Sequence, residues 1–174
     1  LLFLGMPAFY LGCRSPKYIL KTTVFSLIAS VPLMIMIEYV GQYSLSWAFP
    51  PSTFNFLLFG IVNIEVLLWA FLNIFTVVMV YETFFDRHHS VVCWNKNMWT
   101  LVRYLVAWAA VFFLLAMLGR EYFTVPYFYL IFGLILFIYP IFMYFLYYLN
   151  SFPKIIYISI YFIYLSLLYE ITAL

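Results

Sequence analysis

The sequence predicts an all-α fold, a polytopic transmembrane helix bundle of about six helices with the first one partial. Three observations carry this. Of 174 residues, 68% are hydrophobic and only 8% are charged, whereas an ordinary soluble domain is about half apolar. The apolar residues form long continuous runs, without the alternation that a membrane β-barrel requires. The breaks between runs hold Pro, Gly, Asn, Ser and most of the charge.

Taken in order, the first run, 1–12, is shorter than the roughly 20 residues a bilayer needs. No charged leader or cleavage site accompanies it, so it reads as the tail of a truncated helix rather than a signal peptide. Arg14-Ser15-Pro16-Lys17 separates it from a second run, 18–40, and Trp47-Ala48-Phe49-Pro50-Pro51-Ser52 precedes a third, 54–81. A polar stretch from Asp86 to Asn97 leads into the fourth, 100–118. Gly119-Arg120-Glu121 introduces the fifth, 123–148, and Asn150-Ser151-Phe152-Pro153-Lys154 the sixth, 154–174.

Charge orients the bundle. Arg14, Lys17, Lys21, Arg87, Lys96, Arg103 and Lys154 fall in or beside loops one, three and five, and only Arg120 falls on the other side. Seven of eight basic residues on one side predicts that those loops are cytoplasmic. A net charge of +2 without a basic, aromatic-interleaved patch gives no reason to expect nucleic acid. Cys13 and Cys93 have no spacing partners, so neither a disulfide framework nor a zinc site is indicated.

The acids carry the chemistry. Glu65 lies inside the apolar run Phe54 to Tyr81, where a carboxylate costs roughly 2.5–3.5 kcal/mol on insertion scales. Such a residue holds or moves a proton, or grips a ligand. Glu38 and Glu170 end the second and sixth runs, and the topology puts all three acids in the half of the membrane away from the cytoplasm. Converging membrane carboxylates mark a proton or substrate site, although Glu38 and Glu170 also suit an interface with lipid headgroups. Trp69 and Asn73 follow Glu65 at i+4 and i+8, one stripe of carboxylate, indole and amide. That stripe is expected to face the bundle interior or a ligand, with interhelical hydrogen bonding as the plainer use.

Other signals are weaker. His88, His89, Asp86 and Cys93 lack the paired helical spacing of a membrane metal site and read as a solvated loop. No aspartate-rich magnesium motif, phosphate loop, GxSxG elbow or HExxH is present. The rings of the fifth run, Phe128 to Phe142 at bilayer depth, suit a polyene or a carbocation. Taken alone, compositional bias toward Phe and Tyr explains them better.

Several of these features fall in a known order. Pro7 lies in the first segment and Glu38 ends the second; Trp47-Ala48-Phe49-Pro50 follows, then Asn63-Ile64-Glu65-Val66, and Tyr81-Glu82-Thr83-Phe84-Phe85-Asp86 closes the unit. The order resembles the lycopene cyclase domain family of bacterial, archaeal and fungal carotenoid enzymes, a three-helix unit with a W-x-F/Y-P segment and a P-x-E-E-like helix start. Asn63 stands where that motif has proline, and Val66 where it has the second glutamate. Pro140, Pro153-Lys154 and Tyr169-Glu170 begin a second, incomplete copy. The resemblance therefore divides the chain into a first repeat at 1–86, a cytoplasmic loop at 87–99, and following helices at 100–174.

What the resemblance implies is a redox-neutral isomerisation in the membrane, with no cofactor and no metal. An acid protonates the terminal alkene of a linear carotene end group, the cation closes onto a neighbouring alkene, and loss of a proton gives an ionone ring. Such a site needs a dry tunnel, a carboxylic acid kept neutral by desolvation, and a base within reach. Glu65 is the expected acid and Glu38 or Glu170 the base, with Trp69, Asn73, Asn63 and Trp47 against the substrate. Membrane lipid, a hydrophobic polyene and a homo- or hetero-oligomer are the partners this implies, in a bacterial cytoplasmic membrane. Two other classes remain open: a non-catalytic membrane partner or carotenoid- or lipid-binding subunit, and a small proton- or cation-coupled transporter.

Overall fold

The computed structural model describes residues 2–45, 56–58, 60, 62–85, 96–147 and 152–173. Six α-helices cover most of them: α1 Leu2–Arg14, α2 Pro16–Tyr43, α3 Ile64–Val80, α4 Lys96–Leu118, α5 Phe128–Tyr147 and α6 Phe152–Ala173. A π-helical turn, Tyr81–Phe85, continues α3, and a 3₁₀ turn, Arg120–Phe123, links α4 toward α5. Among the described residues three helical stretches are long and apolar enough to cross a membrane: Pro16–Tyr43, Ile64–Phe85 and Trp99–Leu118. Phe128–Met143 and Pro153–Tyr164 are shorter apolar helices. This is an all-α membrane protein.

The side-chain pattern of α2 makes the same point independently of hydropathy. Its buried stripe is Thr22, Ser26 and Ser30, while Leu20, Val24, Phe25 and Ile28 are exposed. A helix in water would present the reverse. Small polar residues at i, i+4 and i+8 let helices approach closely in lipid, where apolar side chains gain nothing by turning inward.

The third run is where the sequence reading needs correction. It is not one helix over 54–81: β1 Leu57–Leu58 pairs antiparallel with β2 Val62–Asn63, Leu57 opposite Asn63 and Leu58 opposite Val62, before α3 begins at Ile64. Gly60 turns this hairpin with φ +71°, a conformation open to glycine at little steric cost. Asn63 directly precedes the helix, at a position Asn favours because its side chain accepts from free N–H groups of the first turn. Glu65 is therefore a first-turn residue of α3 and not a mid-helix one.

Packing groups the chain into two compact units. The first gathers Leu1–Pro32, Ile64–Val91 and Asn150–Leu174; the second gathers Leu33–Asn63 and Val92–Leu149. The change within α2 comes at Pro32, whose ring removes a backbone donor from the helix ladder. In the first unit Ala8 and Leu11 of α1 pack on Phe75, Met79 and Val80 of α3. Thr76 Oγ1 donates to the Leu4 carbonyl at 3.5 Å and Thr83 Oγ1 to Ser15 Oγ at 3.2 Å. The two helices thus run in the same direction, and α1 flanks the C-terminal half of α3.

The second unit has an aromatic core. Met36 and Val40 of α2, Phe112 of α4, Phe123, and Phe132 and Leu136 of α5 are all buried together. The α4–α5 pair is antiparallel: Tyr104 stacks on Tyr139 with centroids 4.1 Å apart, and Trp108 lies 5.3 Å from Phe132. The Tyr104 hydroxyl also donates to the Ile135 carbonyl. Gly119 (φ +154°) ends α4, and Thr124 Oγ1 donates to the Glu121 carbonyl at 2.8 Å, which closes the 3₁₀ turn that buries Phe123.

Candidate functional site

A charged site forms at one end of the first unit. Ser15 alone separates α1 from α2, and its carbonyl accepts the Tyr18 N–H at 3.1 Å. Pro16 takes the first helical position, where its missing N–H costs nothing. The turn brings Arg14, Ser15, Lys17 and Tyr18 together, with Lys21 one helical turn further on. Opposite lies the π-helical turn, whose wider winding changes the facing of the side chains after Val80 and buries Glu82 and Thr83.

The groups then interlock. Lys21 Nζ lies 2.6 Å from Glu82 Oε1, the carboxylate side chain 9% exposed and the lysine 58%. The Arg14 guanidinium sits over the Phe84 ring at 5.5 Å and donates to the Tyr10 hydroxyl at 3.1 Å. Lys17 Nζ lies 4.6 Å from the Tyr18 ring centre. Lys154, at the start of α6, donates to the Phe85 carbonyl at 3.4 Å. Arg14, Ser15, Lys17, Tyr18, Glu82 and Thr83 line a polar cavity of about 210 Å³.

Beside it is an apolar cavity of about 480 Å³, within the range of small-molecule pockets. Pro7, Tyr10 and Leu11 of α1, Val80, Phe84 and Phe85 at the end of α3, and Tyr157, Ile158 and Tyr161 of α6 line it. Arg14 touches Tyr10 and Phe84, both on the wall of this second cavity, so it stands between the two.

The residues singled out from the sequence are distributed differently. Glu65 is partly exposed in the first turn of α3, where the helix dipole favours a negative charge. Asn73 donates its amide to the Trp69 carbonyl one turn earlier, at 3.0 Å. Trp69 is 38% exposed although Thr76, seven residues on, is fully buried. Seven residues differ by only about 20° around a helix, so the two share a face. α1 lies against Thr76 and Thr83. The stripe therefore shares a face with Thr76, and Trp69 on it is partly exposed.

Among the described residues Glu38 is the most buried acid, 1% exposed on the α2 stretch of the second unit. The ring of Tyr39 beside it packs on Tyr43, Phe112 and Phe123, and Glu38 interacts electrostatically with Tyr129 of α5. Asn63 is in β2. Trp47 lies outside the described residues, as do Asp86, His88, His89 and Cys93, and of Glu170 only the helical backbone is described.

Sequence reasoning missed Lys21, Glu82 and Thr83. Lys21 counts in the charge balance only as a loop cation, and Glu82 only as the end of a motif. A signal was present: Lys21 sits a full turn inside an apolar helix, and a cation so placed calls for a carboxylate partner. No protein-family model, no curated protein and no solved structure matches the chain.

Proposed function

We propose that this protein is a membrane carotenoid end-group cyclase that works by acid-catalysed, redox-neutral isomerisation, with Glu38 delivering the proton. The observation that carries the reading is the burial of Glu38, 1% exposed and within electrostatic reach of Tyr129 of α5. A carboxyl group withdrawn from water beside an aromatic residue meets two needs of the reaction. It provides a proton in a dry site, and neighbouring rings stabilise the carbocation that the proton creates. Tyr129 is one such ring, and Tyr39, next to Glu38 in sequence, packs on Phe112 and Phe123 in the same unit. The lycopene-cyclase-like order of motifs adds support, since in that pattern the second helix ends on an acid.

The test uses the full-length protein in cells that accumulate lycopene, with pigments extracted and separated. A cyclic product is expected, and Glu38→Gln abolishes it at unchanged levels of inserted protein. Glutamine keeps the volume and hydrogen bonding but delivers no proton. Lycopene left wholly linear by well-inserted protein rejects the cyclase reading.

One observation favours a second reading. Among the described residues no carboxylate lines the 480 Å³ cavity of the first unit, whose walls are apolar and aromatic. A cavity of that kind suits holding a polyene or lipid chain, the work of a binding subunit. In that case pigment co-purifies with the protein without being converted.

A further inference from the structure

We propose that the basic end of the first unit binds an anionic phospholipid, its phosphate held between Arg14 and Lys17 and its acyl chain in the cavity walled by Phe84 and Tyr157. This goes beyond the cyclase reading and does not depend on it, because every residue involved lies in the first unit and Glu38 does not.

Charge is the first argument. Three cations, Arg14, Lys17 and Lys21, face one carboxylate, Glu82. Lys21 neutralises Glu82 at 2.6 Å, which leaves Arg14 and Lys17 on the 210 Å³ cavity without a carboxylate of their own among the described residues. The same cavity is lined by Ser15 and Tyr18 at the start of the 28-residue α2, where the positive end of the helix dipole also favours an anion. The guanidinium uses one nitrogen on the Tyr10 hydroxyl, and its remaining donors suit the oxygens of a phosphate.

Continuity is the second. A free phosphate would need only the polar cavity. Here Arg14 rests on Phe84 and bonds Tyr10, and both residues belong to the wall of the 480 Å³ apolar cavity. A ligand that fills both sides of Arg14 carries an anionic head and an apolar chain. Cations clustered at the end of apolar helices also lie at headgroup depth, where anionic lipids concentrate.

The experiment is native mass spectrometry of the purified full chain in detergent, with phosphatidylglycerol, phosphatidylcholine or glycerol 3-phosphate added. Phosphatidylglycerol is expected to be retained about thirtyfold more than phosphatidylcholine, the scale that two surface cations provide. Arg14→Gln with Lys17→Gln brings that ratio close to one, and the exposed Lys17→Gln alone, which leaves the Arg14 contacts intact, lowers it in part. Ile158→Trp narrows the apolar cavity and reduces retention of phosphatidylglycerol without restoring phosphatidylcholine. Equal retention of the two lipids, or an unchanged ratio in the double variant, overturns the proposal. Glycerol 3-phosphate displacing phosphatidylglycerol at equal concentration would reduce the site to a phosphate site alone and overturn the acyl-chain half.

Discussion

Lys21 Nζ reaches Glu82 Oε1 at 2.6 Å across 61 positions of sequence, and the two partners are unequally buried. That inequality has a consequence. Lys21→Met leaves a carboxylate that is 9% exposed without its counterion, a loss of about 1–3 kcal/mol by the usual cost of an unsatisfied buried group. Glu82→Gln leaves a lysine that is 58% exposed and free to turn into water, so it costs less. The double variant recovers part of the Lys21→Met loss. Thermal unfolding in detergent gives the three values, and equal losses for the two single variants would contradict the asymmetry.

The second unit rests on Phe112. It is 2% exposed and its ring meets those of Tyr39, Phe113, Phe123 and Phe132. Phe112→Ala is expected to cost about 3–5 kcal/mol, the range for truncating a buried aromatic side chain. Phe113→Ala, on an exposed neighbour, is expected to cost far less. The comparison is again thermal, on protein of equal expression.

The helices were legible in the sequence because each apolar run is long and bounded by Pro, Gly or charge, and those boundaries hold to within a few residues for α1, α2, α4 and α6. The β1–β2 hairpin was not. It lies within an apolar run, where neither a 3.6-residue nor a two-residue period stands out, and Gly60 and Asn63 were its only marks. That concealment moved Glu65 from the helix start to its middle in the sequence reading. The stripe of Glu65, Trp69 and Asn73 follows from helix geometry alone, but its exposure depends on what packs beside α3, which is a tertiary matter. The Lys21–Glu82 pair was hidden for the same reason: its partners are adjacent only after α1, α2 and α3 have packed.

Topology gives a labelling prediction. Lys154 Nζ bonds the Phe85 carbonyl, and Arg14 sits on Phe84, so the starts of α2 and α6 meet the same end of α3. With Cys13 and Cys93 replaced, Lys17→Cys and Lys154→Cys are expected to react with an impermeant reagent only after the cells are opened. The positive-inside rule sets the side, and the packing requires that both positions share it. Labelling of one position from outside and the other only from inside would break the first unit.

The last prediction separates the two acids. Glu65 is a partly exposed first-turn residue, where the dipole gives a carboxylate about 0.3–1 kcal/mol. Glu38, in the second unit, is 1% exposed. In lycopene-accumulating cells, Glu65→Gln is therefore expected to keep most of the conversion and to lower thermal stability slightly, whereas Glu38→Gln removes conversion without lowering the level of protein. Glu65→Asp serves as the control, because it keeps the charge that the helix start favours and restores the stability lost by glutamine. If Glu65→Gln abolishes conversion while Glu65→Asp retains it and both proteins insert normally, the proton comes from Glu65. The structural role assigned to the first turn of α3 would then be wrong.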